Sequence, residues 1–355
     1  MRGADPDGEG LAQDRYALRT STQWIGPQLG NLALALEQVQ MELNSTTDNP
    51  LLDLAEERVH HGGNFQSAAI TSAMEKTMGV VQILGKMIFS QCSEILNPML
   101  NKGLPPNISA DDPSLSFAFK GVDINMASYM SELAYLNHPV SNHVQSAEMH
   151  NQSLNSLALI AAHYAGDTVE LLALMSATYL YVLCQALDIR AIHLEFVSRA
   201  RKDVDNANEQ LFQSSGAGAQ LSNSQEIIWK EITNHWERNS TSDLHKRSQV
   251  TATDSLGVVL DLLGDQVVGK ELRQWKSNVA NILETRYGAK RKLFFQSKSA
   301  APYLCNLSQK LYGFVRQSLG VVMHRGLVDH PTYDSGKKIV KESIGPHIGK
   351  IYAAL

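Results

Sequence analysis

Two long stretches of this chain repeat apolar side chains at intervals of three and four residues, a period that an α-helix turns into one continuous face. From Gln66 to Leu100 the face is Met74, Met78, Val81, Leu84, Ile88, Cys92, Ile95 and Met99, closed by Gly103 and Pro105-Pro106. From 152 to 197 it is Leu154, Leu157, Ala161, Leu172, Met175, Tyr179, Val182, Ala186 and Ile189. Helices of that length bury such a stripe against one another, so the expected architecture is mainly α, a bundle of long helices.

Shorter patterns surround them. Leu29, Leu32, Leu36, Val39 and Leu43 mark a helix over 29–43 that Asn44 to Pro50 stops, and 123–136 reads as another. Period-two strand patterns are nearly absent. At Arg199-Ala-Arg-Lys-Asp203 the composition shifts, and Gln213 to Ser224 has the Ser, Gly, Ala and Gln makeup of a flexible linker. A boundary is expected near 200. Beyond it, patterns around 225–237, 254–285 and 303–320 are shorter and more polar, as in an appended helical subdomain.

Composition excludes several function classes. With 43% hydrophobic and 19% charged residues over 355, the chain supports a large core and is neither disordered nor fibrous. Lys and Arg number 31 against 36 Asp and Glu, a net charge of −5 without the basic excess that tracking nucleic-acid phosphates requires. Cys92, Cys184 and Cys305 lie far apart, which leaves no CxxC metal pair and no disulfide framework and fits a reducing compartment. Met1 to Gly10 is acidic and polar with no apolar signal core, so a cytoplasmic location is expected. Leu171 to Leu187 is uncharged, but it is short for a bilayer and includes Ser176, Thr178 and Gln185. A helix buried against other helices is expected there, with no membrane partner.

Chemistry is expected in the polar clusters rich in turn residues. Arg19, three residues from Tyr16, is either a guanidinium fork for a carboxylate beside a phenol or a surface ion pair at a helix start. Glu148 and Gln152 stand four apart and share a face if helical, with His150 pointing away. They are either the capping turn of the long helix that follows or the polar end of a pocket. His60-His61 before Gly62-Gly63 reads as a tight turn with exposed rings, since adjacent imidazoles diverge and no carboxylate stands at ligand spacing; no metal is expected. Gly216-Ala-Gly218 lacks the third glycine and the preceding strand of a dinucleotide loop, and Lys290-Arg-Lys292 is too short to be more than a solvated face.

Taken in order, several clusters resemble one family. Gln13-Asp-Arg-Tyr-Ala-Leu-Arg-Thr-Ser21 with Trp24-Ile-Gly-Pro27, Thr47-Asp-Asn-Pro-Leu51, His61-Gly-Gly-Asn-Phe-Gln66, Asn101-Lys-Gly-Leu-Pro105, Lys120-Gly121, Met126-Ala-Ser-Tyr129, Ser131-Glu-Leu133, Asn142-His-Val-Gln-Ser-Ala-Glu148 and His150-Asn-Gln-Ser153 are similar to the phenylalanine ammonia-lyases, within the aromatic amino acid lyases. The Thr-Thr-Asp-Asn-Pro-Leu-Leu form looks like the fungal branch. The likeness is dense over 13–197 and looser towards the C-terminus.

That resemblance implies non-oxidative removal of ammonia from L-phenylalanine to give trans-cinnamate, on a methylidene-imidazolone ring formed from an internal Ala-Ser-Gly. It assigns Arg19 to the substrate carboxylate, Tyr16 to the space between substrate and ring, Asn49 to the same pocket and Phe65 to the side of the ring. Glu148 and Gln152 would line the amine end, where a carboxylate accepts the proton an ammonium must lose, and Lys120 would stand one layer further out. It implies an N-terminal segment over 1–28, a central long-helix bundle over 29–199, a shielding-type insert over 200–302 and a C-terminal helical segment over 303–355. In the family the Ala-Ser-Gly precedes the Gln-Asp-Arg-Tyr motif, and no Ala-Ser-Gly occurs among the 355 residues. The chain is therefore expected to lack the ring-forming domain and to be inactive alone. A homo-oligomer, or a hetero-oligomer with a ring-bearing chain, would complete it. The competing expectation is a ring-less paralogue that serves as a binding or scaffold subunit, or that runs a ring-independent reaction in the same pocket.

Overall fold

A computed structural model describes residues 13–63, 66–212, 218–264, 267–333 and 341–355. The helices are α1 (Tyr16–Arg19), α2 (Ser21–Leu43), α3 (Ala68–Leu96), α4 (Lys120–Leu136), α5 (Ala158–Phe212), α6 (Gly218–Arg238), α7 (Leu244–Asp254), α8 (Leu256–Leu263), α9 (Gly269–Gln296), α10 (Asn306–Gly313) and α11 (Ile344–Tyr352). An antiparallel hairpin, β1 (Leu51–Asp53) with β2 (Arg58–His60), pairs Leu51 with His60 and Asp53 with Arg58. Among the described residues it is the only sheet.

The mainly α expectation holds, while several boundaries move for local reasons. α2 begins at Ser21 and runs through Pro27, whose missing N–H leaves the Gln23 carbonyl on an exposed turn where water can satisfy it. α3 stops at Leu96, short of the expected Leu100, because Pro98 cannot continue a helix and disfavours helical backbone at Asn97. α5 starts at Ala158 rather than 152. It then continues to Phe212, so the boundary expected near 200 falls inside an unbroken helix. The patterns over 254–285 and 303–320 resolve into α8 with α9, and into α10 followed by a π-helical turn at Phe314–Ser318. Of the expected linker, 213–217 lies outside the described residues, and the rest begins α6.

The chain divides into two compact units, Met1–Gln91 with Ile124–Ser176, and Cys92–Asp123 with Ala177–Leu355. In the first, α3, α4 and α5 approach closely at Gly85. A Cβ there would stand 2.5 Å from Leu133 Cδ1 and 3.4 Å from Met175 Sδ, so a larger residue would have to push the buried Leu133 side chain aside. Met78, Val81, Met126, Leu133, Ala161 and Met175 are among the buried apolar side chains these helices contribute to this unit's core. By contrast α2 buries only Ala35; of its expected apolar face Leu32 and Val39 are half-buried, while Leu29, Leu36 and Leu43 are 61%, 59% and 76% exposed.

In the second unit α6 packs on α7 and α8, and α7 on α9. Its centre is an aromatic cluster of Phe196, Trp236 and Tyr287, with ring centroids 4.8 to 5.4 Å apart. Arg247 is buried beneath it, 4.1 Å from the Trp236 ring, and donates Nε and Nη2 to the Trp236 carbonyl at 2.9 and 2.7 Å. Each such aromatic pair contributes roughly 0.5–1.5 kcal/mol beyond its area burial. One window of α5 is long and apolar enough to cross a membrane, and half of it is buried inside the structure. Gln185 lies on its buried stripe and donates Nε2 to the His324 carbonyl at 2.8 Å, a role suited to a core helix.

Candidate active site

Arg15 enters α1 in left-handed backbone, φ 50°, and turns the chain so that four residues form one helical turn. Tyr16 and Arg19 then sit three apart on one face, and the Arg19 guanidinium stacks 5.1 Å from the Tyr16 ring centroid. Gln91 of α3 donates Nε2 to the Ala17 carbonyl at 3.1 Å and holds the turn in place. Among the described residues no carboxylate pairs with Arg19. Its guanidinium donates only to the Asp14 and Gln13 carbonyls, both at 3.4 Å. The ion-pair alternative finds no acid, and the fork stays available for a planar anion.

Glu148 and Gln152 do not share a helical face. Glu148, Met149 and His150 are three successive left-handed residues, φ 52°, 52° and 68°, in a loop before α5. Each such non-glycine residue costs about 1–2 kcal/mol, and the loop offsets this by closing on itself. Ala147 N–H donates to the Gln152 carbonyl at 2.8 Å and Gln152 N–H to the Ala147 carbonyl at 3.2 Å. Asn151 Nδ2 donates to Glu148 Oε2 at 3.1 Å, and Ser146 Oγ bonds His150 Nδ1 at 2.8 Å. The capping alternative fails too, because α5 begins at Ala158, six residues beyond Gln152. Glu148 is exposed and Gln152 half-buried, held at opposite ends of one tight loop.

Asn49 is exposed at a cis Asn49–Pro50 bond that leads into β1. Lys120 opens α4, exposed, with Nζ 5.5 Å from the Phe117 ring, and belongs to the second compact unit. Phe65 lies outside the described residues. Thus the structure stacks Arg19 on Tyr16 and places Glu148 and Gln152 in one loop, where Glu148 bonds Asn151 and Gln152 pairs with Ala147. No hydrogen bond or ion pair among the described residues links the first pair to the second. His60 proves to be a strand residue at the end of β2, its Nε2 3.9 Å from Asp53 Oδ2, rather than part of a turn. Among the described residues no three His, Cys, Asp or Glu side chains gather as metal ligands.

The second unit holds a buried polar cluster that is not among the residues expected from the sequence. Asp188 accepts hydrogen bonds from Arg316, from the Tyr312 hydroxyl and from Ala300 N–H, at the wall of a cavity of about 540 Å3. A signal was present: Asp188 follows Gln185 by three residues and precedes Ile192 by four, on the face that Val182 and Ile189 show to be buried. Burial works against the Arg316 charge, and the Asp188 carboxylate outweighs it, holding Arg316 above its ordinary pKa.

Residues 2–210 match the family described as aromatic amino acid lyase. A protein of Aspergillus lentulus called phenylalanine ammonia-lyase lenB is 54% identical over 358 residues, covering 97% of this chain and 50% of that protein. A phenylalanine aminomutase of Talaromyces islandicus, the L-beta-phenylalanine-forming type, is 44% identical over 92% of this chain and 46% of its own. The crystal structure of phenylalanine ammonia-lyase from Rhodosporidium toruloides superposes with a TM-score of 0.92 at 38% identity, covering 99% of this chain and 53% of that one. The chain belongs to the aromatic amino acid lyase family. It spans about half the length of the curated relatives it matches. The family uses a methylidene-imidazolone group formed from Ala-Ser-Gly, and these 355 residues hold no such run, so the residues present do not fit formation of the ring.

Proposed function

We propose that this chain supplies the substrate-holding part of a phenylalanine ammonia-lyase, in which L-phenylalanine loses ammonia to give trans-cinnamate. The observation that carries the reading is the Arg19 guanidinium, stacked on Tyr16 with no carboxylate partner among the described residues, within a segment belonging to the lyase family. Arg19 would clamp the substrate carboxylate through two parallel N–H bonds. Tyr16, beside it, would present its phenol to the bound substrate. Glu148 would accept a proton from the substrate ammonium, with the Gln152 amide completing that end, and Asn49, Phe65 and Lys120 would line the pocket or stand behind it. The ring would come from an Ala-Ser-Gly segment outside these 355 residues. Names among the relatives leave both ammonia release and amine migration compatible with the same pocket.

Assembly belongs to the proposal. Leu29, Leu36 and Leu43, seven residues apart, share one exposed apolar face on a helix that buries one residue. Covering it in a cytoplasmic homotetramer, or against a ring-bearing chain, removes apolar area that a soluble monomer does not tolerate. Light scattering should give concentration-dependent oligomers, and a stable monomer over a wide range of concentration would remove assembly from the proposal.

The test of activity is co-expression of this chain with a chain carrying the family's Ala-Ser-Gly half, followed by ultraviolet detection of cinnamate from L-phenylalanine. Cinnamate should form with the pair and not with this chain alone. A second reading, a ring-less binding or scaffold subunit, draws on the missing Ala-Ser-Gly and on the exposure of Tyr16, Asn49 and Glu148. A well-formed complex that binds cinnamate but never produces it would favour that reading.

A further inference from the structure

Two basic runs that the lyase reading leaves unused meet in space. Arg199 and Lys202 lie on α5, Lys290 lies on α9 and Lys298 just beyond its end, and all four line an open groove of about 530 Å3 within the second compact unit. Among the described residues Glu195 is the acid that lines it, and its carboxylate is already engaged. Lys290 Nζ donates to Oε2 at 2.8 Å, Lys298 Nζ to Oε2 and Oε1 at 2.8 and 3.0 Å, and the Tyr303 hydroxyl to Oε1 at 3.0 Å. The expected solvated face at Lys290 is therefore half of a cross-helix tether.

Glu195 acts as a template. It draws two lysine heads to one point and fixes them there, so little side-chain entropy remains to be lost when an anion arrives. Burial alone would push its carboxyl up, and the hydrogen bonds from Lys290, Lys298 and Tyr303 instead hold it down at about 2. Arg199 and Lys202 are exposed, and among the described residues neither has a hydrogen-bond or ion-pair partner. Four cations against one saturated carboxylate leave a concentrated positive basin on a chain whose net charge is −5. Field lines from such a basin focus into its cleft.

We propose that this groove binds a small molecule carrying a diphosphate group. One phosphate would meet the paired lysine heads and the second the free Arg199 and Lys202, a division that a single orthophosphate does not use. Lysine ammonium groups and the arginine fork are the usual recognition chemistry for phosphate oxygens. The volume is that of a small-molecule site rather than of a macromolecular surface.

The test is titration calorimetry of the full chain with inorganic pyrophosphate, orthophosphate and adenosine diphosphate, with ionic strength matched by sodium chloride. Pyrophosphate should bind, and orthophosphate should bind roughly tenfold more weakly. Adenosine diphosphate matching pyrophosphate assigns recognition to the diphosphate alone, and tighter binding adds a contact to the nucleoside; both outcomes support the site. The Arg199→Gln, Lys202→Gln double variant, on an exposed helix face, should keep the thermal midpoint of the free protein and lose roughly tenfold in pyrophosphate affinity. Absence of pyrophosphate heat overturns the proposal, as does equal affinity for orthophosphate or a double variant that binds like wild type. Capture of an acidic peptide that pyrophosphate does not displace overturns it as well.

Discussion

Arg316 reaches Asp188 with two nitrogens on one carboxylate oxygen, Nε at 3.1 Å and Nη2 at 2.7 Å, and the side chains of both are almost fully buried. Arg316 also donates Nη1 to the Val321 carbonyl at 3.0 Å, so the pair ties the π-helical turn after α10 to the middle of α5. Replacing Arg316 by Ala leaves a buried carboxylate unpaired and should cost about 3–5 kcal/mol of stability. The Asp188→Asn, Arg316→Met double variant should cost less than the Arg316→Ala single. Urea denaturation of the three proteins checks this, and a loss below about 1 kcal/mol for Arg316→Ala would contradict the burial argument.

Gly326 has φ 82°, and a Cβ there would fall 2.0 Å from Asp111 Oδ1 and Cγ. Asp111 cannot retreat freely, since its Oδ2 accepts Leu327 N–H and its Oδ1 the Ser116 hydroxyl, both at 2.7 Å. Gly326→Ala should therefore destabilise by at least about 2 kcal/mol, through strained backbone and a broken bond together. Gly345, in α11 with open space around it, is the control. Gly345→Ala should be neutral or stabilising by up to about 1 kcal/mol. Thermal midpoints of the two variants should move apart.

His193 is a source of acid sensitivity. Burial first, and then the Arg190 and Arg247 charges, push its pKa from 6.5 down to about 3. The native ring stays neutral where the unfolded one takes a proton. Its stabilising contribution is therefore complete above 6.5 and falls as pH drops towards 3, by at most about 1.4 kcal/mol per pH unit. Glu237, whose Oε1 lies 3.8 Å from His193 Nε2, has its carboxyl raised by burial and works in the opposite sense. The isolating measurement is the change in urea midpoint between about pH 7 and about pH 5, which should be smaller in His193→Gln than in wild type. Equal changes would clear His193 of the effect.

For the proposed lyase, Arg19→Lys keeps the charge and loses the planar fork. In the complex with a ring-bearing chain it should weaken cinnamate binding roughly tenfold, while Glu148→Gln should leave carboxylate affinity nearly unchanged and slow turnover. In this chain by itself Tyr16 is 59% exposed, so water competes for the guanidinium and the difference should shrink. Calorimetry with cinnamate on wild type and the Arg19→Lys and Glu148→Gln variants decides the matter, and equal affinities for wild type and Arg19→Lys would remove Arg19 from the site.

Periodicity alone carried the long helices, because a stripe at intervals of three and four is a property of consecutive residues. It marked Met78, Val81, Met175 and Val182 as buried, and the structure buries them. Periodicity also ran past a local stop, because the apolar spacing continues to Met99 although the Pro98 ring ends α3 at Leu96. Other features were hidden from residue spacing, by local backbone or by partners far away in the chain. Glu148 and Gln152 have helical spacing, yet the bonds between Ala147 and Gln152 and three left-handed residues make that spacing a loop. Lys290 looked solvated because its acid, Glu195, is 95 positions away, and Asp188 looked like the end of an apolar run because Arg316 is 128 positions away. A charge in water and a charge in a buried pair are written with the same letter. Only the fold chooses the partner, because desolvation and ion pairing depend on distance in space rather than along the chain.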